Sequence, residues 1–288
     1  MSSTRNIKQR IANVSSVEQI IKAMDMVSST KLHKARAQLN GVRPIYYELK
    51  RITEELSATS ARSHVFYKGH KVRSSLYIIF TSDRGLCGSY NTNIMSKALE
   101  NMNQGKNEKL IIVGSKGNEY FRNKDKNIIH SFTDVDESQM YYASERVAKR
   151  LIEIYLNGEV DEVFVAYTHF ETALSYVPTV ERLLPLTISP ANNLYCNDEK
   201  YEPDINTFID HVIPLYLHMK LFRAYSESHT SEQAARMVNM DAAGKNASDL
   251  IEELNHMYNR KRQADITQEL SEIVGSVNVL NKGGIDES

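Results

Sequence analysis

The chain has 288 residues, 41% of them hydrophobic and 25% charged, with a formal net charge of −1. That length holds one large domain or two small ones, and the charge balance removes any global electrostatic drive toward nucleic acid. Its two cysteines, Cys87 and Cys196, stand far apart and outside CxxC or Cys/His metal spacing, so a disulfide framework is excluded and a reducing compartment fits.

The balanced total hides an asymmetry. The first sixty-odd residues carry about twice as many Lys and Arg as Asp and Glu, whereas the last ninety lean acidic, as two helices meeting each other could use. No stretch approaches the roughly 20 apolar residues of a membrane-spanning helix. The start, Met1 to Arg5, runs into a helical pattern without a signal peptide's apolar segment. The chain is expected to be soluble and to reach a membrane only through a partner.

From Ile7 to Leu56 apolar residues recur on a 3-4 track through Ile7, Ile11, Val14, Ile21, Leu32, Ala35, Leu39, Val42, Leu49 and Leu56, the seam of a coiled coil. Glu18 and Asp25 interrupt it, and there Val17, Ile20, Met24 and Val27 are expected to widen the apolar face instead. Pro44 predicts a kink, because the periodicity resumes beyond it. Residues 57–75 are polar and basic and read as a connector.

Strands and helices then alternate. Strands are predicted at Leu76–Phe80, Leu110–Val113, Ile128–Phe132, Glu162–His169 and Val177–Leu186, and helices at Asn91–Met102, Asn118–Arg122 and Gln139–Leu156. That alternation predicts an α/β domain with a largely parallel sheet. After Pro203 a helical pattern returns and holds to about Leu280. Its last repeat, Leu270, Ile273, Val277 and Leu280, is spaced 3-4-3, again a seam. Pro214 and Gly244 permit bends, and Gly275 is the next candidate break. An uninterrupted helix of this span exceeds about 100 Å and needs a partner face. The N-terminal helix is the nearest. The predicted organisation is thus an α/β fold plus a long antiparallel two-helix coiled coil formed by the N- and C-terminal helices: residues 1–60, an inserted α/β domain at 75–190, and residues 205–282. The C-terminal helix is the longer, so part of it must project unpaired or enter something else.

Few motifs carry chemistry. Thr81-Ser82-Asp83-Arg84-Gly85-Leu86-Cys87-Gly88-Ser89-Tyr90-Asn91 joins a strand to a helix, where α/β enzymes keep phosphate loops, but it has neither GxGxxG nor GxxxxGK[ST]. Cys87 has no nearby base to make it a nucleophile. A tight turn presenting Asp83, Arg84 and Cys87 at the domain surface as a partner contact is the stronger reading. Gly114-Ser115-Lys116-Gly117 reads as a helix cap. The nine histidines form no HxxxH or HExxH pair, so no metal is expected. The basic run Arg260-Lys261-Arg262 gives way to acids on one helix, either a solvated face with i,i+4 pairs or a docking surface.

Taken together, these segments resemble the gamma subunit of F-type ATP synthases. The resemblance rests on Arg10-Ile11, Gln19 to Val27 and Lys31-Leu32. It rests also on Ser82 to Gly88 with Tyr90-Asn91, and on Ser231 to Met237, Asp241-Ala242-Ala243, and Tyr258-Asn259-Arg260 through Val274. The departures are Ser89 where glycine is common, Gly244 within a helix, and Ser276 to Val279. The resemblance implies a non-catalytic central rotor shaft without cofactor. Its coiled coil would stand inside a ring of three alpha and three beta chains that carry out the ATP chemistry. Its other end, with an epsilon subunit, would sit on a membrane ring of c subunits turned by ions. It further implies beta-subunit contacts at Met24, Arg236, Arg262, Gln263, Thr267, Glu269 and Glu272. Asp83, Arg84 and Cys87 would meet a beta helix-loop, and Tyr201, Glu202 and Asp204 the c ring. Met24 is expected beside Arg236, so that a lysine there repels and uncouples. The implied location is peripheral, on the cytoplasmic face of a bacterial inner membrane, with the matrix side of the mitochondrial one as the alternative. An α/β nucleotide-binding enzyme with helical extensions and a static coiled-coil scaffold are the competing readings.

Overall fold

A computed structural model describes residues 2–57, 64–69, 71–102, 107–187 and 204–283, with side chains to Val274. In chain order the elements are α1 (Ser2–Ser57), β1 (Ser74–Phe80), α2 (Tyr90–Met102), β2 (Asn107–Val113), α3 (Ser115–Arg122), β3 (Ile128–Phe132), a 3-10 turn (Glu137–Gln139), α4 (Met140–Leu156), β4 (Glu162–Phe170), β5 (Tyr176–Leu184) and α5 (Ile205–Gly283). They form two compact units, one of residues 1–26 with 240–288 and the other of residues 27–239.

In the larger unit the described residues make a five-stranded sheet ordered β3-β2-β1-β4-β5. β1, β2, β3 and β4 run parallel, while β5 returns antiparallel to β4. The chain winds outward from β1 through α2 and α3, then crosses by α4 to the far side of β1, so strand order reverses between β1 and β4. β1 is the central strand, and its near-continuous apolar run reflects burial on both faces. Leu76, Ile78 and Phe80 face one core with α4, α1 and α5, through Val147, Leu151, Val42, Tyr46, Leu217 and Leu221. Tyr77 and Ile79, of opposite parity, face a second core with Ile94, Ala98 and Met102 of α2 and Phe121 of α3. Each fully buried side chain of this kind contributes roughly 1.5–3 kcal/mol relative to exposure.

The long helices hold where the sequence raised objections. α1 runs unbroken through Pro44. Both Pro44 and Asn40 are exposed, so the carbonyl that the missing N–H leaves unpaired is open to water. α5 continues through Pro214, Gly244 and Gly275, so Gly275 is not the break expected there.

The smaller unit is an antiparallel helix pair. Thr4 donates to Asp265, Ser248 donates to Glu18 at 2.7 Å, and Gly244 lies opposite Ile21. Numbers thus rise along α1 as they fall along α5. The inward positions of α1 are the track Thr4, Ile7, Ile11, Val14, Glu18, Ile21 and Asp25, flanked by half-buried Ser15 and Met24, and those of α5 are Met240, Ala243, Gly244, Ala247, Leu250, Ile251, Leu254, Tyr258 and Asp265. The track therefore keeps strict 3-4 spacing straight through Glu18. This corrects the expectation of an apolar face widened around Glu18 and Asp25, since Val17 and Ile20 are 51% and 60% exposed. Glu18 keeps its place because Lys22 and Ser248 satisfy its carboxylate, holding it below the usual carboxylate range. Leu270 and Ile273, predicted as a seam, are exposed, as is Ile266 before them. The register explains it: Asp265 already faces Thr4, and α1 begins at Ser2, so from Leu270 onward α5 has no counterpart on α1 among the described residues.

Candidate partner-contact site

The segment Thr81–Asn91 leaves β1 at the point where strand order reverses, the crevice in which doubly wound sheets hold ligands. Its shape comes from its own side chains. Asn91, in the first turn of α2, accepts from Ser82 N at 3.0 Å and donates to Ser82 Oγ at 2.6 Å and to Cys87 Sγ at 3.2 Å. Ser82 Oγ in turn donates to the Arg84 carbonyl at 2.6 Å. Leu86 and Gly88 adopt positive φ of 65° and 56°, which reverse the chain twice around Cys87.

The outcome differs from the expected surface turn. Cys87 is 2% exposed, packed against Tyr90 and Ala235, and burial raises its thiol above the ordinary value. It is a core residue, not a surface contact. Arg84, Gly85 and Leu86 form the exposed tip before Cys87, Gly88 and Ser89 are exposed after it, and Asp83 is half-buried. Asp83 accepts from Ser115 N and Oγ, both at 2.8 Å, and so caps α3 from a distance.

The Gly114–Gly117 cap is likewise closed by the chain itself. Beyond Asp83 on Ser115, Lys116 N donates to the Ser82 carbonyl at 3.1 Å and Gly117 N to Thr81 Oγ1 at 3.0 Å. The amides that would cradle a phosphate are occupied. Gly114 is required there, since at φ 108° a Cβ would sit 2.2 Å from the Thr81 carbonyl.

The crevice itself is filled by α5. Arg236 donates from Nε to the Gly85 carbonyl at 3.2 Å and from Nη2 to the Arg84 carbonyl at 3.3 Å. Glu232 at 2.7 Å and Gln233 at 3.2 Å hold the rest of its guanidinium. At the end of β4, Thr168 N donates to Ser228 Oγ at 3.0 Å and Ser231 Oγ donates to the Thr168 carbonyl at 3.3 Å. Arg236 is thereby buried and serves to bind the 81–91 loop to α5. Met24 lies in the smaller unit, half-buried on the α1 seam.

The remaining sequence-derived residues fall elsewhere. Arg262, Gln263, Thr267, Glu269 and Glu272 are all exposed on α5 of the smaller unit, interleaved with the exposed apolar Ile266, Leu270, Ile273 and Val274. Lys261 pairs with Asp265 at 3.2 Å in the i,i+4 manner. Asp204 caps α5, accepting from Asn206 N at 2.9 Å and Thr207 N at 3.0 Å. Tyr201 and Glu202 lie outside the described residues. Among the described residues no cluster of His, Cys, Asp and Glu could hold a metal, and no helix is long and apolar enough to cross a membrane.

Fold and site together define a class: a doubly wound α/β unit whose ligand crevice is filled by the chain's own α5, and a second unit that is an antiparallel helix pair. The ATP synthase family matches residues 3–280. The ATP synthase gamma chain of Moorella thermoacetica is 36% identical over 282 residues, covering 97% of this chain and 100% of its own. That of Anaeromyxobacter sp. is 38% identical over 289 residues, with 97% and 100% covered. The chain belongs to the ATP synthase gamma chain family. Among solved structures, a central stalk/c-ring chain of the Tetrahymena thermophila mitochondrial ATP synthase is 25% identical with a TM-score of 0.61, over 78% of this chain and 99% of that one. A chain of the Euglena gracilis mitochondrial ATP synthase OSCP/F1/c-ring, in rotational state 3, shares the fold with a TM-score of 0.70 at 19% identity, over 98% and 96%.

Proposed function

We propose that this chain is the central rotor shaft of an F-type ATP synthase, coupling ion-driven turning of a membrane c ring to ATP synthesis or hydrolysis at alpha and beta subunits. The observation that carries the reading is the stretch of α5 beyond Leu270. Leu270, Ile273 and Val274 are 58%, 59% and 59% exposed, on a stretch of α5 with no counterpart on α1 among the described residues. An apolar helix end of this kind is stable in water only when something surrounds it. A ring of catalytic subunits supplies that surround. In this reading Arg262, Gln263, Thr267, Glu269 and Glu272 provide polar contacts to beta subunits and Met24 an apolar one, while the buried Arg236 contributes by holding the exposed Arg84–Leu86 tip in shape.

The chain is a non-catalytic component. The crevice where an α/β enzyme binds ligand is closed by Arg236, Ser228 and Ser231 from α5. The shaft acts by differential contact: each beta subunit meets a different side of a lopsided helix pair, so turning the shaft changes which beta conformation is favoured. The exposed tip at Arg84 and Leu86 would meet a beta helix-loop. Asp204, with Tyr201 and Glu202, would lie toward the c ring, alongside an epsilon subunit. The site is peripheral, at the cytoplasmic face of a bacterial inner membrane. Purifying the tagged chain tests the reading: it brings down alpha and beta chains in threefold excess, and the complex hydrolyses ATP while the chain alone does not. Turnover by the isolated chain, or its recovery without those partners, contradicts it. Met24→Lys in the complex is expected to leave hydrolysis running while proton pumping falls.

A further inference from the structure

Away from the 81–91 loop, the larger unit holds a cavity of about 450 Å³ between the last turns of α1, the end of β5 and the first turns of α5. Tyr46, Lys50, Arg182, Tyr216, Lys220 and Arg223 line it. Two of these cations are buried: the side chains of Lys220 and Arg223 are 9% and 7% exposed. Lys50 and Arg182 stand at the open side.

The cations gathered in and around the cavity outnumber the carboxylates that pair with them. Glu181 serves both Lys220 at 3.6 Å and Arg223 at 3.4 Å, and it also accepts from the Tyr167 hydroxyl. Glu227 lies 3.9 Å from Arg223, but it is shared with Arg43 at 3.4 Å and with His169. At the mouth, Glu54 is paired with Lys50 at 3.7 Å, leaving Arg182 in excess. Arg223 lies over the Tyr46 ring at 4.2 Å, and its buried Nε has no hydrogen-bond partner. Lys220 donates to the Arg182 carbonyl at 3.1 Å. Burial pulls its ammonium below the ordinary lysine value even though Glu181 opposes the shift. A cavity of this size, with convergent donors and aromatic walls, has the character of a small-molecule site, and guanidinium and ammonium groups gathered together match an oxyanion with several acceptors.

We propose that this cavity binds the phosphate group of a small phosphorylated molecule, held by Lys220 and Arg223 within and by Lys50 and Arg182 at its mouth. A carboxylate is the poorer fit, because Glu181 already fills that role on the buried cations. A phosphate brings additional acceptor oxygens, enough to serve the Lys220 ammonium and the rim cations together. The cavity is larger than phosphate alone, so the ligand carries a body that rests among the Tyr46 and Tyr216 rings.

The same chemistry is offered by a soluble phosphate ester and by a lipid headgroup. The test is calorimetric titration of the full chain, in phosphate-free low-salt buffer, with glycerol 3-phosphate and with inorganic phosphate. Alongside it, the chain is cosedimented with phosphatidylglycerol and phosphatidylcholine vesicles. Saturable binding to a soluble ester identifies the first source, and binding only to phosphatidylglycerol identifies the second. In either case Lys220→Gln is expected to weaken it about tenfold or more, as for a buried charged partner. Arg182→Ala, on an exposed side chain that leaves the core intact, is expected to weaken it several-fold, about 3 to 10 times. Absence of binding to every phosphate compound, or binding indifferent to both substitutions, overturns the proposal.

Discussion

Arg236 of α5 donates to the carbonyl of Gly85, 3.2 Å away and 151 residues distant in the chain. That bond, with its neighbour to Arg84 at 3.3 Å, closes the sheet's crevice and fixes the exposed Arg84–Leu86 tip of the 81–91 loop. Removing the guanidinium strands two carbonyls and leaves Glu232 without its partner at 2.7 Å. Arg236→Ala is expected to cost about 2 kcal/mol of stability, the penalty for buried groups left unpaired. Chemical denaturation gives that figure, and amide exchange then accelerates at residues 83–88 before it does so in β1. Unchanged exchange there would mean the loop is held by Asn91 alone.

Two glycines are expected to respond in opposite directions. At Gly114, φ is 108° and an added Cβ would meet the Thr81 carbonyl at 2.2 Å, so Gly114→Ala forces the β2–α3 turn to shift. The expected loss is roughly 3 kcal/mol. Gly41 is helical and exposed, with nothing within 4 Å of a Cβ. Gly41→Ala is expected to gain about 0.5–1 kcal/mol from helix propensity. Thermal unfolding of the two variants beside the parent chain reads both.

Gly244 tests the helix pair in the same way. An added Cβ would stand 3.6 Å from Ile21 Cγ2, an ordinary contact. Gly244→Ala is therefore expected to stiffen α5 and stabilise the pair by about 1 kcal/mol, while Gly244→Phe pushes α1 away. Helical circular dichroism and melting of the two variants distinguish these outcomes. A loss of stability in the alanine variant would show that α5 needs the glycine for more than close approach.

Glu137 gives the larger unit a pH dependence. His229 beside it at 3.6 Å, then Lys31 from α1, hold its carboxyl at about 2 against an ordinary 4.5, with partial burial opposing them. Because the folded value is depressed, the stabilisation is complete above about pH 4.5 and disappears as pH falls toward 2. Urea unfolding between pH 6 and pH 3 is expected to show a stability loss that Glu137→Gln reduces. Identical pH profiles would remove Glu137 from the account.

Much of this was legible in the residues. Leu76–Phe80 announces a buried parallel strand because every position is apolar, and the elements fall within a few residues of their predicted bounds. The motifs that span both ends of the chain point to the family. What was not legible depends on distant partners. By hydropathy Glu18 and Asp25 look like interruptions, yet 3-4 spacing alone keeps Glu18 on the seam, where Ser248 compensates it. Cys87 looks exposed in a polar turn until Asn91 and Ser82 are seen to draw its thiol inward. The filled crevice could not be read at all, since Arg236 and Gly85 meet only after the whole sheet has formed. β5 gave a strand signal without its direction, which is set by the short return from Phe170 to Tyr176.

The account rests on the chain turning inside its complex. The direct measurement is to immobilise the complex through its catalytic subunits and tether a bead at the exposed Lys124, in the turn between α3 and β3. The bead's angle is then followed while ATP is supplied. Sustained rotation in one direction that stops when ATP is withdrawn is the predicted result; steady ATP hydrolysis with a motionless bead would contradict it.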